Sequence, residues 1–186
     1  MILRAAQFAA NAHQGQFRKY SNDPYIYHPM RVAGRVMLLP GACPERVAAA
    51  WLHDVIEDCK PQAIHLYAAF PKSVTTLVEE LTNKSQMPAF RKRPRAERKA
   101  IDREHIAQAS RWAKIVKLID RIDNLREIGL SEPDFIRLYG EESTALAFAI
   151  ATDVPVDDTV TWSLVNELNN LALTLLREAS DGGESN

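Results

Sequence analysis

The chain has 186 residues, of which 46% are hydrophobic and 25% charged, and its formal net charge is −1. Such totals are typical of one ordinary globular domain, and the near-neutral charge excludes a chain-wide surface for nucleic acid or other polyanions. No apolar stretch approaches the length of a membrane span, and Cys43 and Cys59 match neither a disulfide framework nor a zinc-finger spacing, so we expect reduced thiols in the cytoplasm.

Apolar residues recur at three- and four-residue spacing along most of the chain, which predicts helices rather than strands. The predicted helices cover, in order, 2–15, 28–39, a segment from Pro44 through His53 and Asp54, a short segment from Pro61, 71–82, 96–108, a segment ending near 128, and two more after Pro133 and Pro155. Prolines and turn-forming residues mark loops at 17–27 and 83–95. The sequence therefore predicts a single all-α domain over 1–180, a bundle of about eight to ten helices, followed by a frayed, disordered tail at 181–186.

The run from Ala49 to Asp58 places ionisable residues in an apolar helical segment. At 3.6 residues per turn, side chains four positions apart share a face, so His53 is expected beside Glu57 and Asp54 beside Asp58. A charged group turned toward the core is costly unless it is paired or binds a metal. This segment therefore predicts the centre of a metal site.

Two further places carry candidate ligands. His28 opens the second predicted helix, and Asp120 and Asn124 lie four residues apart on a later one, where the alternative is a solvated face with Asp123 paired to Arg126. Two imidazoles and two carboxylates form a mixed donor set that suits Mn²⁺, Fe²⁺ or Zn²⁺, supplied by His28, His53, Asp54 and Asp120. The alternative is a buried polar network without an ion. The neighbouring carboxyl groups, one turn further along, are suited to orienting a water molecule or moving its proton; they belong to Glu57 and Asp58.

Four segments carry a resemblance to a known family. In chain order they read AHQGQFRK at 12–19, PYIYHP at 24–29, AWLHDVIED at 50–58 and KLIDRIDNLR at 117–126. With these motifs the chain resembles the HD-type hydrolase domain of the RelA/SpoT homologues, in particular the small alarmone hydrolases. The resemblance extends from the first helix to at least Arg126. It implies a helical fold that hydrolyses the 3′-pyrophosphate of alarmone nucleotides such as ppGpp and releases pyrophosphate.

The resemblance also implies roles for individual residues. One Mn²⁺ would be held by His28, His53, Asp54 and Asp120. The catalytic acids that act on the attacking water would be Glu57 and Asp58. Contacts to the nucleotide would come from Arg18, Lys19, Lys84 and Asn124.

The chain departs from the family in ways that leave the substrate open. Asp123 stands where the family usually has His or Tyr, and the nearest candidates for a later Arg and Tyr pair, Arg137 and Tyr139, do not match its spacing. Guanine and adenine alarmones, ppGpp or ppApp, both remain candidates. The alternatives are another nucleotide phosphohydrolase of the HD superfamily, for example one acting on the 2′-phosphate of NADPH or on a nucleoside monophosphate, and a nucleotide-binding regulatory module without chemistry.

Basic residues dominate the segment 84–99, where the one acid is Glu97. They are Lys84, Arg91, Lys92, Arg93, Arg95, Arg98 and Lys99. We favour a solvated loop, because charge runs are usually solvated. The functional alternative is a flap that attracts and covers an anionic substrate, and RNA contact is disfavoured because Phe90 is the one aromatic residue within the run.

Overall fold

The computed structural model describes residues 1–128 and 131–181. Within these ranges the helices are α1 (Ile2–Ala12), α2 (Tyr27–Met37), α3 (Pro44–Leu52), α4 (Val55–Asp58), α5 (Lys60–Ala69), α6 (Lys72–Leu81), a 3₁₀ turn (Lys84–Gln86), α7 (Arg95–Ala107), α8 (Arg111–Ile128), α9 (Pro133–Ala151) and α10 (Thr159–Asp181). The pairing of extended backbone in these ranges is limited to an isolated bridge between Phe17 and Pro24. The all-α prediction is confirmed. Apart from Asp181, the tail predicted at 181–186 lies outside the described residues.

Helix α8 lies at the centre of the bundle and contacts α2, α6, α7, α9 and α10. Its apolar residues, among them Ile115, Leu118 and Ile122, are fully buried. A helix surrounded by neighbours is expected to be apolar on all sides. Instead, α8 also buries charged side chains, and these position the functional site. No helix in the described ranges is long and apolar enough to cross a membrane.

The helix that we predicted to run through His53 and Asp54 is in fact broken there. Helix α3 ends at Leu52 and α4 begins at Val55, so both residues lie in the junction. His53 Nδ1 is 2.8 Å from the carbonyl oxygen of Ala50, the acceptor that the Asp54 N–H would use in a continuous helix. Adjacent side chains on a straight helix point about 100° apart. The break lets both side chains face the same site, which the apolar periodicity does not reveal.

The connection between α1 and α2 forms a compact loop over residues 13–26. Its ends are joined by hydrogen bonds from the Arg18 N–H to the Asp23 carbonyl (2.8 Å) and from the Tyr25 N–H to the Gln16 carbonyl (2.9 Å). Gly15 has a φ of 77°, a left-handed conformation that side-chain-bearing residues rarely adopt. The loop thereby holds Arg18 and Tyr25 against the bundle.

The start of α10 is anchored by Asp158. Its carboxylate accepts hydrogen bonds from the Thr161 N–H (3.1 Å) and hydroxyl (2.6 Å), and two from Arg111 (both 2.6 Å). Arg111, together with the Thr161 hydrogen bonds, holds the pKa of Asp158 below its usual range. The carboxylate therefore acts as an N-cap that joins α10 to the start of α8.

We predict that Asp158→Ala lowers the free energy of unfolding by about 1–2 kcal/mol at pH 7, as expected for loss of a helix cap. A depressed carboxyl pKa contributes stability above the ordinary pKa of about 4, and this contribution disappears as the pH falls through the folded-state value. The difference between wild type and variant in urea unfolding should therefore shrink on acidification. Asp157→Ala, which removes an exposed neighbouring carboxylate, is the control. Equal stability of the two variants at pH 7 would refute the anchor.

Candidate metal centre and nucleotide pocket

The four residues predicted as metal ligands converge in the structure. His28 Nε2 lies 3.2 Å from Asp120 Oδ1 and 3.6 Å from Asp54 Oδ2. His53 Nε2 lies 3.1 Å from Asp54 Oδ2 and 3.9 Å from Asp120 Oδ1. The two Nε2 atoms are 3.2 Å apart. Two nitrogens and two oxygens thus surround one point, although they come from α2, from the junction of α3 with α4, and from α8.

The hydrogen bonds of the two imidazoles fix which nitrogen faces this point. His28 Nδ1 is 2.7 Å from Asp123 Oδ2, and His53 Nδ1 is 2.8 Å from the Ala50 carbonyl. Both partners are acceptors, so each Nδ1 carries the hydrogen and donates it. In the neutral ring the lone pair is then on Nε2, directed at the centre. This arrangement fits a divalent cation held by nitrogen and oxygen donors.

The electrostatics of the centre favour positive charge. Burial opposes protonation of His28, yet its hydrogen bonds to Asp120 and Asp123 raise its pKa to about 9. Burial also opposes protonation of His53, but the charge and hydrogen bond of Asp54 outweigh it and raise the pKa of His53. Burial would favour the neutral acid of Asp120, but the Lys117 ammonium and His28 hold its pKa well below the usual range. The Asp54 and Asp120 carboxylates are therefore ionised, and a cation bound between them would be stabilised by their charge.

Two side chains outside the predicted ligand set support the centre. Asp123, 7% exposed, bonds His28 and also accepts two hydrogen bonds from Arg31 at 2.7 and 2.9 Å. Lys117 Nζ lies 3.0 Å from Asp120 Oδ2. The alternative of a solvated face with Asp123 paired to Arg126 is wrong. The signal that could have identified Asp123 is its departure from the family's His or Tyr.

Glu57 and Asp58, the predicted catalytic acids, lie beside this centre in different surroundings. Glu57 accepts hydrogen bonds from the N–H (2.7 Å) and side-chain amide (3.0 Å) of Asn83. The Tyr25 hydroxyl lies 2.7 Å from Asp54 Oδ2 and 3.1 Å from Asp58 Oδ2, and it donates its single proton to one of them at a time. Burial raises the pKa of Glu57 and of Asp58, and the nearby Asp54 charge adds to both shifts.

A cavity of about 250 Å³ opens next to the centre. It is lined by Phe17, Arg18, Lys19, Tyr20, Tyr25, Asn124, Glu127, Ile128, Phe135 and Tyr139. Arg18 donates to Glu127 and to the Asn124 oxygen, both at 2.7 Å, and Asn124 in turn donates to Asp120 at 2.6 Å. The Lys19 ammonium lies 5.0 Å from the Tyr20 ring centroid and 5.4 Å from that of Phe135. Arg18, Lys19 and Asn124 thus share one aromatic, basic cavity beside the metal centre.

Of the remaining candidates, Tyr139 lies in the cavity, whereas Lys84 and Arg137 do not line it. Lys84 is exposed on the 3₁₀ turn and does not line the cavity. Arg137 pairs with Asp134 at 3.6 Å, whereas Tyr139 lines the cavity and stacks beneath the Arg121 guanidinium. The basic segment is divided, because its first part, 84–94, is loop and 3₁₀ turn and its later residues belong to α7.

Comparison with known proteins agrees with this geometry. The HD domain family model matches residues 5–151. The guanosine-3′,5′-bis(diphosphate) 3′-pyrophosphohydrolase MESH1 of Xenopus tropicalis is 36% identical over 137 residues, which cover 72% of this chain and 73% of that relative. A guanosine-3′,5′-bis(diphosphate) 3′-pyrophosphohydrolase of Vibrio cholerae is 35% identical over 144 residues, 77% of this chain and 20% of the relative.

A solved structure of a metazoan ortholog of SpoT that hydrolyzes ppGpp aligns with a TM-score of 0.70 at 23% identity. The alignment covers 95% of this chain and 94% of that one, and it shows that the fold is shared. The family model and the relatives above show that the chain is a hydrolase of the HD-domain family, within the RelA/SpoT homologue group that its sequence motifs resemble.

Proposed function

We propose that this hydrolase removes the 3′-pyrophosphate of an alarmone nucleotide, ppGpp or ppApp, with Mn²⁺ as its cofactor. The single observation that supports this most is the convergence of His28, His53, Asp54 and Asp120 on one point beside Glu57, Asp58 and the aromatic, basic cavity. The named activity of the MESH1 relatives agrees with the proposal. The free thiols of Cys43 and Cys59 support a cytoplasmic location.

The proposed metal ligands are the two Nε2 atoms and one oxygen each of Asp54 and Asp120. A divalent cation bound there would neutralise charge on phosphate oxygens and activate a water molecule. The role of the chain is to present these donors in fixed orientations. Asp123 fixes His28 in the tautomer that directs Nε2 to the centre, and Lys117 fixes Asp120 from the other side.

The proposed reaction forms a bond from the water oxygen to the phosphorus atom attached at the ribose 3′ oxygen. The bond from that phosphorus to the 3′ oxygen breaks, so the 3′ oxygen is the leaving group and takes up a proton, and pyrophosphate that carries the water oxygen is released. One group must accept a proton from water and one must donate a proton to the 3′ oxygen. Glu57 and Asp58 suit these roles, because both carboxyl groups lie beside the centre and because desolvation and the Asp54 charge raise both pKa values above the ordinary carboxyl value.

The cavity suits the nucleoside. A purine can stack on its aromatic side chains, while Arg18 and Lys19 contribute positive charge above aromatic rings. Asn124 connects the two parts of the site, because its side chain accepts from Arg18 and donates to Asp120. Lys84, exposed next to Asn83, remains a proposed phosphate contact that requires the 3₁₀ turn to approach the substrate.

We predict pyrophosphate release from ppGpp or ppApp by the Mn²⁺-loaded chain. His53→Ala and Asp54→Ala should abolish it because each removes a ligand, while His65→Ala, at an exposed histidine, should have no effect. Glu57→Gln should lower kcat by about 10²-fold or more with Mn²⁺ still bound, the loss typical of general acid–base groups. The compounds assayed as substrates also include pppGpp, pppApp and NADPH.

Phosphate release from NADPH alone would move the assignment to a 2′-phosphatase. No turnover of any of these compounds, with Mn²⁺ bound, would favour a binding module.

We further predict that Asp123→Ala weakens Mn²⁺ binding by about 10- to 100-fold, the usual cost of losing a carboxylate that orients a metal-bound histidine. Asp123→Asn keeps an oxygen acceptor for His28, so its Mn²⁺ affinity should lie between those of the wild type and Asp123→Ala. Glu127→Gln is the matched control, because Glu127 also pairs with Arg31 but does not contact His28. Mn²⁺ titration calorimetry gives the affinities. An Asp123→Ala affinity equal to that of the wild type would contradict the orienting role.

A further inference from the structure

Tyr25 lies at the junction between the metal centre and the nucleoside cavity. Its ring lines the cavity, whereas its hydroxyl lies 2.7 Å from Asp54 Oδ2 and 3.1 Å from Asp58 Oδ2. Asn124 is the other cavity residue that bonds a proposed ligand, since its amide donates to Asp120 at 2.6 Å. Tyr25 therefore joins the two parts of the site at a second place, next to a catalytic carboxyl group.

The Tyr25 ring is held in one orientation by the loop over residues 13–26. His13, which is 3% exposed, stacks on it with the ring centroids 4.6 Å apart and an angle of 24° between the planes. His13 is itself fixed, because its Nδ1 lies 2.8 Å from Gln16 Oε1. The Arg18 guanidinium lies 5.5 Å from the Tyr25 ring centroid. These contacts restrict the ring, so the loop sets the direction in which the hydroxyl points.

Asp58 has less support than the neighbouring catalytic carboxyl group. Glu57 is partly buried and accepts two hydrogen bonds from Asn83, at 2.7 and 3.0 Å. Asp58 is exposed at the end of the four-residue helix α4. Among the described residues, the Tyr25 hydroxyl is the one hydrogen-bond donor that reaches its carboxylate. An exposed carboxyl group without a partner samples several rotamers, so this contact decides whether Asp58 faces the centre.

The hydroxyl has a single proton to donate to two carboxylates. A phenol has an ordinary pKa of about 10, so the Tyr25 hydroxyl is protonated at pH 7 and acts as a donor. Ionised Asp54 and Asp58 can only accept, and their like charges repel each other. A donor placed between them offsets this repulsion and keeps both carboxylates within reach of one oxygen atom.

We propose that Tyr25 is a positioning residue that holds the proposed metal ligand Asp54 and the catalytic carboxyl group of Asp58 in fixed orientations at this junction. This inference rests on the proposed function and adds the residue that orients Asp58. With a nucleoside in the cavity and its 3′-phosphate at the centre, the ribose 3′ oxygen that joins them must lie at the junction. Tyr25 would thereby keep Asp58 turned toward the bond that breaks.

The test is Tyr25→Phe, which keeps the ring and removes the hydroxyl. At saturating Mn²⁺ it should lower kcat for the alarmone by about tenfold or more, the effect of losing one hydrogen bond to a charged group. KM should change little, because the ring still lines the cavity. In the absence of nucleotide, calorimetry should show Mn²⁺ affinity weaker by about tenfold, since Asp54 loses an orienting partner. Tyr27→Phe, which removes an exposed hydroxyl from the same segment, is the matched control.

A double-mutant cycle tests whether Tyr25 acts through Asp58. In the Asp58→Asn background, Tyr25→Phe should lower kcat much less than it does in the wild type, because the carboxylate that it orients is already absent. An equal loss of kcat in the two backgrounds would overturn the positioning role.

The outcomes separate this inference from the proposed function. Alarmone turnover by Tyr25→Phe with an unchanged kcat, or an unchanged Mn²⁺ affinity, would overturn the role of Tyr25 and leave the proposed function standing. If the wild type turns over no alarmone, the proposed function fails and the calorimetry still decides. Weaker Mn²⁺ binding by Tyr25→Phe than by Tyr27→Phe would then support Tyr25 as the residue that positions Asp54, and equal binding would overturn it.

Discussion

The burial of two carboxylates and two imidazoles around one point is the constraint on which the rest of the site depends. Asp54 and Asp120 remain ionised there despite burial, because cationic groups and histidine hydrogen bonds compensate the loss of water. The need for positive charge explains why α8, the most buried helix, carries Lys117 at the centre of the bundle. The convergence of these groups on one point also requires α3 to end at Leu52, because a continuous helix would point His53 and Asp54 in different directions.

Charge alternates outward from this centre along a connected path. His28 bonds Asp123, which binds Arg31, and Arg31 also pairs with Glu127. Glu127 in turn binds Arg18, which reaches Asn124 and so returns to Asp120. The groups expected to hold the cation and those expected to hold the nucleoside are therefore fixed by one network. A nucleoside and a reacting phosphate would therefore lie side by side.

Much of this could be predicted from the sequence, for physical reasons that differ between features. Apolar periodicity identified the helices because most of them bury one face, and residue type identified the four converging groups because His and Asp bind borderline metals. The break at His53 was missed because no Gly or Pro marks it. Lys117 and Arg121 were missed because a single sequence does not distinguish a buried cation from a solvated one. Their burial follows from how α7 and α9 cover α8, which is tertiary information.

The claim at the centre of this account is that His28, His53, Asp54 and Asp120 bind one divalent cation in competition with protons. Mn²⁺ titration calorimetry in buffers of different ionisation enthalpy measures both the stoichiometry and the protons released. Because the pKa of His28 without metal is raised to about 9, its imidazole is protonated at pH 7 and must lose a proton when the ion binds. The account predicts one ion per chain, proton release at pH 7, and less release as the pH rises through 9. Absence of binding at this site, or binding without proton release at pH 7, would contradict it.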